Sequence, residues 1–186
     1  MSETPSSPGP ELAGPAAPPP IAIRACLVRL AGARLAVDVK HVREVAVLED
    51  VTVVPRLPAF VKGVANLHGT IIALVDVGPL IGLGAAQSPR GITALVVQHG
   101  SIHVGIAVDL AEGLEPFAEI RPPSSGRGQD LRFVRGALAR GPESVPLLDT
   151  ERIVAALVLE LRRADHTTAS DQVGAGWVSE ETEVLA

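Results

Sequence analysis

Aromatic side chains are nearly missing: three Phe, one Trp and no Tyr in 186 residues. A core without rings must be built from Val, Leu, Ile and Ala, and β-branched side chains pack best on a pleated surface. Cysteine is confined to Cys26, which excludes an intramolecular disulfide. Its neighbours Ala25, Leu27 and Val28 mark it as a small buried hydrophobe rather than a nucleophile. No apolar run approaches the roughly 18 residues of a membrane span, and the first residues lack a basic, apolar signal pattern. The expectation is a soluble cytoplasmic protein that does not insert into a membrane. Catalytic signatures are absent too: there is no P-loop, nucleophile elbow, HExxH or CxxC. Gly82-Leu83-Gly84 follows a short helix rather than a strand, so it is no dinucleotide loop. His99 and His103 flank a hairpin turn and are expected to face each other across it. Two His without nearby Cys or carboxylates are too few ligands for a metal. No catalytic residue, metal, cofactor or small-molecule substrate is expected.

What is present is unevenly distributed. The net charge is -5, yet all 16 Lys and Arg lie within residues 21–163. Glu3, Glu11, Asp165, Asp171, Glu180, Glu181 and Glu183 lie outside that stretch, so the acidity belongs to the flanks. The basic residues are scattered rather than striped, which gives nucleic acid no electrostatic footprint. Residues 1–20 are rich in Pro, Gly, Ser and Ala and read as a disordered tail. Residues 164–186 read as a second, acidic disordered tail carrying Trp177.

Between the tails, short apolar segments alternate with turn signals. Residues 23–30 and 34–39 flank Ala31-Gly32, residues 45–54 are rich in Val, and 64–67 and 70–77 flank Gly69. Residues 92–98 and 102–110 flank His99-Gly100-Ser101 as another hairpin. This spacing predicts a mainly β fold, a barrel or sandwich. Short helices are expected near 58–62 and 76–81. A longer one is expected over 149–163, with Asp149 or Thr150 as N-cap and Arg162-Arg163 at its end.

The chain also repeats itself. Phe60-Val61-Lys62-Gly63 recurs as Phe133-Val134-Arg135-Gly136, and each is followed at the same distance by an Asp, Asp76 and Asp149. Ala36-Val37-Asp38-Val39 has a counterpart in Ala107-Val108-Asp109-Leu110. Three features in one order, at one offset of about 70 residues, indicate duplication. A unit that small buries only about 60% of its unfolded surface, so two copies would share a core. The two units are about 21–90 and 91–163, with strand exchange at their boundary. Gly63 and Gly136 mark positions needing positive φ or close approach. Phe60 and Phe133 would plug the ends of their barrels, and Asp76 and Asp149 would cap the helices they precede.

These residues carry a family resemblance. Pro58-Ala59-Phe60-Val61-Lys62-Gly63-Val64-Ala65-Asn66-Leu67-His68-Gly69, followed by Ile71, Ile72, Leu74, Val75 and Asp76, resembles the signature of CheW-like domains. Val42-Arg43-Glu44-Val45, Val104 to Asp109 and Ile120-Arg121-Pro122 fit as well, so the likeness spans about residues 22–160. It implies an all-β fold of two SH3-like five-stranded barrels with short helices and a C-terminal helix. It also implies a non-enzymatic adaptor that joins the cytoplasmic tips of chemoreceptors to the regulatory domain of a CheA-type histidine kinase, in the cytoplasm at membrane-bound receptor arrays. An alternative is an interaction module of a non-flagellar array that binds only one partner, as competitor or insulator.

Carried over by position, the resemblance places receptor binding at Val42, Glu44, Val51, Gly63, His68, Thr93 and Leu114, in a groove between barrels that takes a helical hairpin. Kinase binding falls at Arg121 and Pro122. The loop beyond, Ser124 to Gly128, offers no large apolar anchor. The main departure is His68, where the family usually has Arg. His lacks the bidentate fork of Arg, and pairing with Glu44 is the expectation.

Overall fold

The computed structural model describes residues 22–87, 91–123 and 130–172. The expected tail 1–20, residues 173–186 of the expected tail 164–186, and the loop Ser124 to Gly128 lie outside the described residues, whereas 164–172 are helical.

Among the described residues, twelve strands and one α-helix follow in order: β1 (Ile23–Leu30), β2 (Ala33–Asp38), β3 (Val42–Leu48), β4 (Val51–Thr52), β5 (Val61–Leu67), β6 (Thr70–Val75), β7 (Ile92–His99), β8 (Ile102–Val108), β9 (Leu110–Phe117), β10 (Ile120–Arg121), β11 (Val134–Arg140), β12 (Glu143–Leu148) and α1 (Thr150–Gln172). They form two sheets. Sheet I has the order β10-β11-β12-β2-β1-β9 and sheet II the order β3-β7-β8-β6-β5-β4. Each holds five long strands and one strand of two residues, β10 or β4. The mainly β architecture of two subdomains with a C-terminal helix is the one expected.

Neither half of the chain makes a sheet by itself. The hairpin β1–β2 joins β9 to β12 in sheet I, and the hairpin β7–β8 joins β3 to β6 in sheet II. Each hairpin enters through a parallel pairing, Ala36 with Leu147 and Leu74 with Gly105. All other strand pairs are antiparallel.

The weak alternation of 23–30 has a physical reason. Ile23, Ala25 and Leu27 pack into a cluster inside sheet I, with Leu138, Val145 and Leu147. Cys26, Val28 and Leu30 face the other way, into a larger cluster shared with sheet II. Between the exposed Arg24 and Arg29, the strand is buried on both faces and has no polar positions to alternate. Strand β7 is treated likewise: Ala94 and Val96 fill sheet II, while Leu95 and Val97 join the shared cluster. Helix α1 seals that cluster with Ile153, Val154 and Leu157. Burial pushes the Cys26 thiol above its ordinary value, in keeping with a packed hydrophobe.

Several local expectations change. No helix forms over 58–62: Val61 N–H donates to the Pro58 carbonyl at 2.8 Å to close a turn, and Val61 opens β5. The helix near 76–81 is one 3-10 turn, Pro79–Ile81. The Val-rich stretch 45–54 is two strands, separated at Glu49-Asp50. Strand β9 was not foreseen. Helix α1 continues past residue 163 to Gln172. Asp149 caps it, its Oδ1 accepting from Arg152 N–H at 3.0 Å.

Candidate protein-interaction surfaces

The repeat is visible as one local construction made twice. Asp76 N–H donates to the Phe60 carbonyl at 2.7 Å, and Asp149 N–H to the Phe133 carbonyl at 2.8 Å. Val61 and Gly63 straddle a bulge opposite Leu74 and Val75, as Val134 and Gly136 do opposite Leu147 and Leu148. A Cβ on Gly63 would sit 2.2 Å from the Thr52 carbonyl oxygen; one on Gly136 would meet Ile120 Cγ2 at 2.7 Å and the Arg121 oxygen at 2.8 Å. Both glycines let the two-residue strand of their sheet approach, and Gly63 also takes φ +146°.

Three details of the repeat differ from expectation. Phe60 and Phe133 pack against the cluster shared by the two sheets, not into the separate barrel interiors. The Asp76 carboxylate is no helix cap; it accepts from Gly78 N–H and Ala86 N–H and pairs with Lys62 at 3.2 Å, tying down the loop after β6. Asp38 and Asp109 are not equivalent in register. Leu147 pairs with Ala36, whereas its counterpart Leu74 pairs with Gly105, so the matching Ala-Val-Asp strings sit two residues out of step. Asp38 holds Arg135 at 3.3 Å, and Asp109 accepts from Gln87 N–H at 2.6 Å.

Of the seven residues assigned to receptor binding, five fall on two surfaces and two present no side chain to either. Directly paired residues of neighbouring strands point to the same face. Val42 pairs with Val97 and Leu114 with Cys26, both members of the shared cluster, so Val42 and Leu114 face the side on which the sheets meet. Thr93 lies two residues before Leu95 on that same side. Its partner Val47 is 61% exposed, and Val45, opposite Leu95, is 46% exposed. Val45 and Val47 make an apolar strip on β3, and Leu114, 63% exposed, adds an apolar side chain on β9; both are end strands of their sheets. Val45 and Val47 escaped the sequence reading, although alternation with Ala46 and Leu48 of the sheet II interior was there to be read.

Glu44 faces the opposite way, toward Val96. His68, at φ +50° in the turn before Gly69, places Nε2 3.2 Å from Glu44 Oε2, so the expected pair is formed. The pair borders a hollow of about 210 Å³ with Arg43, Leu67, Thr70, Ile72, Val96 and His103. Both partners reach solvent, and such pairs contribute well under about 1 kcal/mol. Val51 is partly buried against the interior of sheet II and Gly63 is buried, so neither presents a side chain to a partner. Arg121 is exposed in β10, its guanidinium 3.1 Å from Glu119; Pro122, exposed, follows it. His99 and His103 do not face each other: His99 pairs with Ile102 and His103 with Gln98.

Sheet I carries a charged chain across four strands. Glu112 of β9 accepts from Arg29 of β1 at 2.6 Å and from Arg34 of β2 at 2.7 Å, and Arg34 reaches Glu143 of β12 at 2.8 Å. The Arg34 and then the Arg29 hydrogen bonds hold the Glu112 carboxyl below its ordinary value. The folded protein therefore binds that proton less readily than the unfolded chain. The stabilisation is complete above the ordinary Glu range and is lost as pH falls through the lowered folded value. Glu112→Gln is expected to lower the melting temperature at pH 7 while narrowing the difference from wild type at pH 3; a difference independent of pH would refute the assignment.

Among the described residues no cluster of three or more His, Cys, Asp or Glu is placed to hold a metal, and no helix is long and apolar enough to cross a membrane. Residues 24–158 match the CheW-like domain. The chain is 28% identical over 128 residues to the chemotaxis protein CheW of Rhizobium meliloti, covering 67% of this chain and 83% of that protein. It is 29% identical over 121 residues to the chemotaxis protein CheW of Klebsiella aerogenes, covering 63% and 73%. The crystal structure of the scaffolding protein TtCheW from Thermoanaerobacter tengcongensis superposes with a TM-score of 0.62 at 25% identity, over 68% of this chain and 88% of that one. With two β subdomains, the twice-built Phe-Val-[Lys/Arg]-Gly bulge and a family match over most of its length, this chain belongs to the CheW-like domain family.

Proposed function

We propose that this protein is a chemotaxis coupling adaptor, working by binding other proteins rather than by catalysis. The observation that carries the reading is the exposed apolar strip of Val45 and Val47 on β3, with half-buried Thr93 paired to Val47 and Leu114 exposed on the end strand of the other sheet. Exposed valines and a leucine on the side where the sheets meet favour an apolar helix face over solvent, and the helical tip of a chemoreceptor is such a partner. The regulatory domain of a CheA-type kinase is assigned to the end of sheet I at Arg121 and Pro122. Glu44 and His68 form a separate contact on the far side of β3, and the adaptor works in the cytoplasm at receptor arrays.

Two measurements test this. In a pull-down with the cognate kinase and a receptor-tip fragment, capture of both supports the adaptor; capture of one alone makes the chain a competitor or insulator. Val47→Glu places a charge in the strip at an exposed site. It is expected to weaken receptor-fragment binding at least about tenfold, as loss of an apolar anchor does, with melting temperature unchanged. Unaltered affinity would remove the strip from the receptor contact.

A further inference from the structure

The chain passes from sheet I into sheet II through one 3-10 turn, Val39–His41, between β2 and β3. His41 closes that turn. Its ring stacks on His99 at the end of β7, with centroids 4.2 Å apart and planes 24° apart. His99 Nε2 lies 2.8 Å from Oγ1 of Thr150, a buried residue in the first turn of α1, just after β12 of sheet I. Crossover, sheet II and the helix after sheet I are thus joined through three side chains. The coupling reading uses none of them.

We propose that His41, His99 and Thr150 form a pH-sensitive latch between the two sheets, closed while the His41 imidazole is neutral and released when it is protonated. Neutral rings stack without electrostatic penalty, whereas two imidazolium rings at this separation repel. The surroundings set the direction. Lys40 on the same turn, Arg135 of β11 and Arg43 of β3 border the hollows that His41 lines, together with Asp38, Asp149 and Glu151. Asp38 is engaged by Arg135 at 3.3 Å and Lys40 at 3.4 Å, and Asp149 by Arg152 at 3.2 Å. Burial first, then His99 and Lys40, hold His41 below its ordinary value of 6.5, with Asp38 and Glu151 pulling the other way. A lowered folded value means that the latch contributes fully above the unfolded value and is lost as pH falls through the folded one.

Hydrogen exchange of the full chain at pH 7.5 and pH 5.5, corrected for intrinsic rates, tests the latch. Residues 39–41, the end of β7 and the first turn of α1 are expected to lose protection by roughly tenfold or more at the lower pH, while β8 and β12 keep theirs. His41→Phe keeps a ring that cannot titrate, and His99→Gln keeps a polar partner for Thr150 without a charge. Each variant that folds should show equal protection at both pH values. The latch is overturned by equal wild-type protection at the two pH values, by loss spread evenly over both sheets, or by variants that respond as wild type does.

Discussion

Gly63→Ala is expected to destabilise the protein by about 2–4 kcal/mol, the range for overpacking combined with a strained backbone. The added Cβ would lie 2.2 Å from the Thr52 carbonyl oxygen and 2.9 Å from its carbon. Both belong to the backbone of β4, which cannot swing aside as a side chain would. The φ of +146° adds strain that any L-residue would feel. Gly69→Ala supplies the control, since its φ is +85° but nothing lies within 4 Å of the new carbon. That variant should lose only about 1 kcal/mol, from conformation alone. Urea titrations of the two decide the matter: similar midpoints would mean that close approach of β4 is not what Gly63 provides.

The second large effect separates the two halves of the repeat. Asp76→Ala should cost about 2–4 kcal/mol, because it leaves two backbone donors and the Lys62 ammonium without their partner at a site only 2% exposed. Asp149→Ala should cost about 1 kcal/mol, the usual loss of a helix cap, since among the described residues the Asp149 carboxylate is shown serving Arg152. Equivalent positions would then differ severalfold in importance. Equal losses in thermal unfolding would contradict the roles assigned here.

The legible parts of the sequence were those where one residue type answers one local need. Gly32, Gly69 and Gly100 sit in the turns they announced, all at positive φ. Asp149 begins the helix it was expected to begin. The Phe-Val-[Lys/Arg]-Gly string marks the same bulge twice because the same hydrogen bond recurs. Strand β9 was illegible for the opposite reason. Glu112, Gly113, Glu115 and Pro116 fit an end strand that pairs on one side and bulges, and neither propensity nor alternation reports that. The faces of β1 and β7 were hidden because both are buried. The resemblance placed Glu44 and Thr93 in one site, whereas the bulge between Val42 and Glu44 helps turn Glu44 away. Strand exchange at the boundary of the units was expected, but which hairpin crosses to which sheet left no local trace, since parallel contacts such as Ala36 with Leu147 carry no turn between them.

That exchange governs how the chain can reach its fold. The first hairpin finds its neighbours only in β9 and β12, so its native place does not exist until residues up to Leu148 are available. During synthesis β1 and β2 emerge early and wait, with Leu27 and Leu30 unburied, for strands made last. Stepwise folding of an amino-terminal domain ahead of the rest is closed to this topology. Loop closures of such span delay native contacts and slow the search. A chain cut near residue 90 would leave two fragments, each holding a hairpin that belongs to the other.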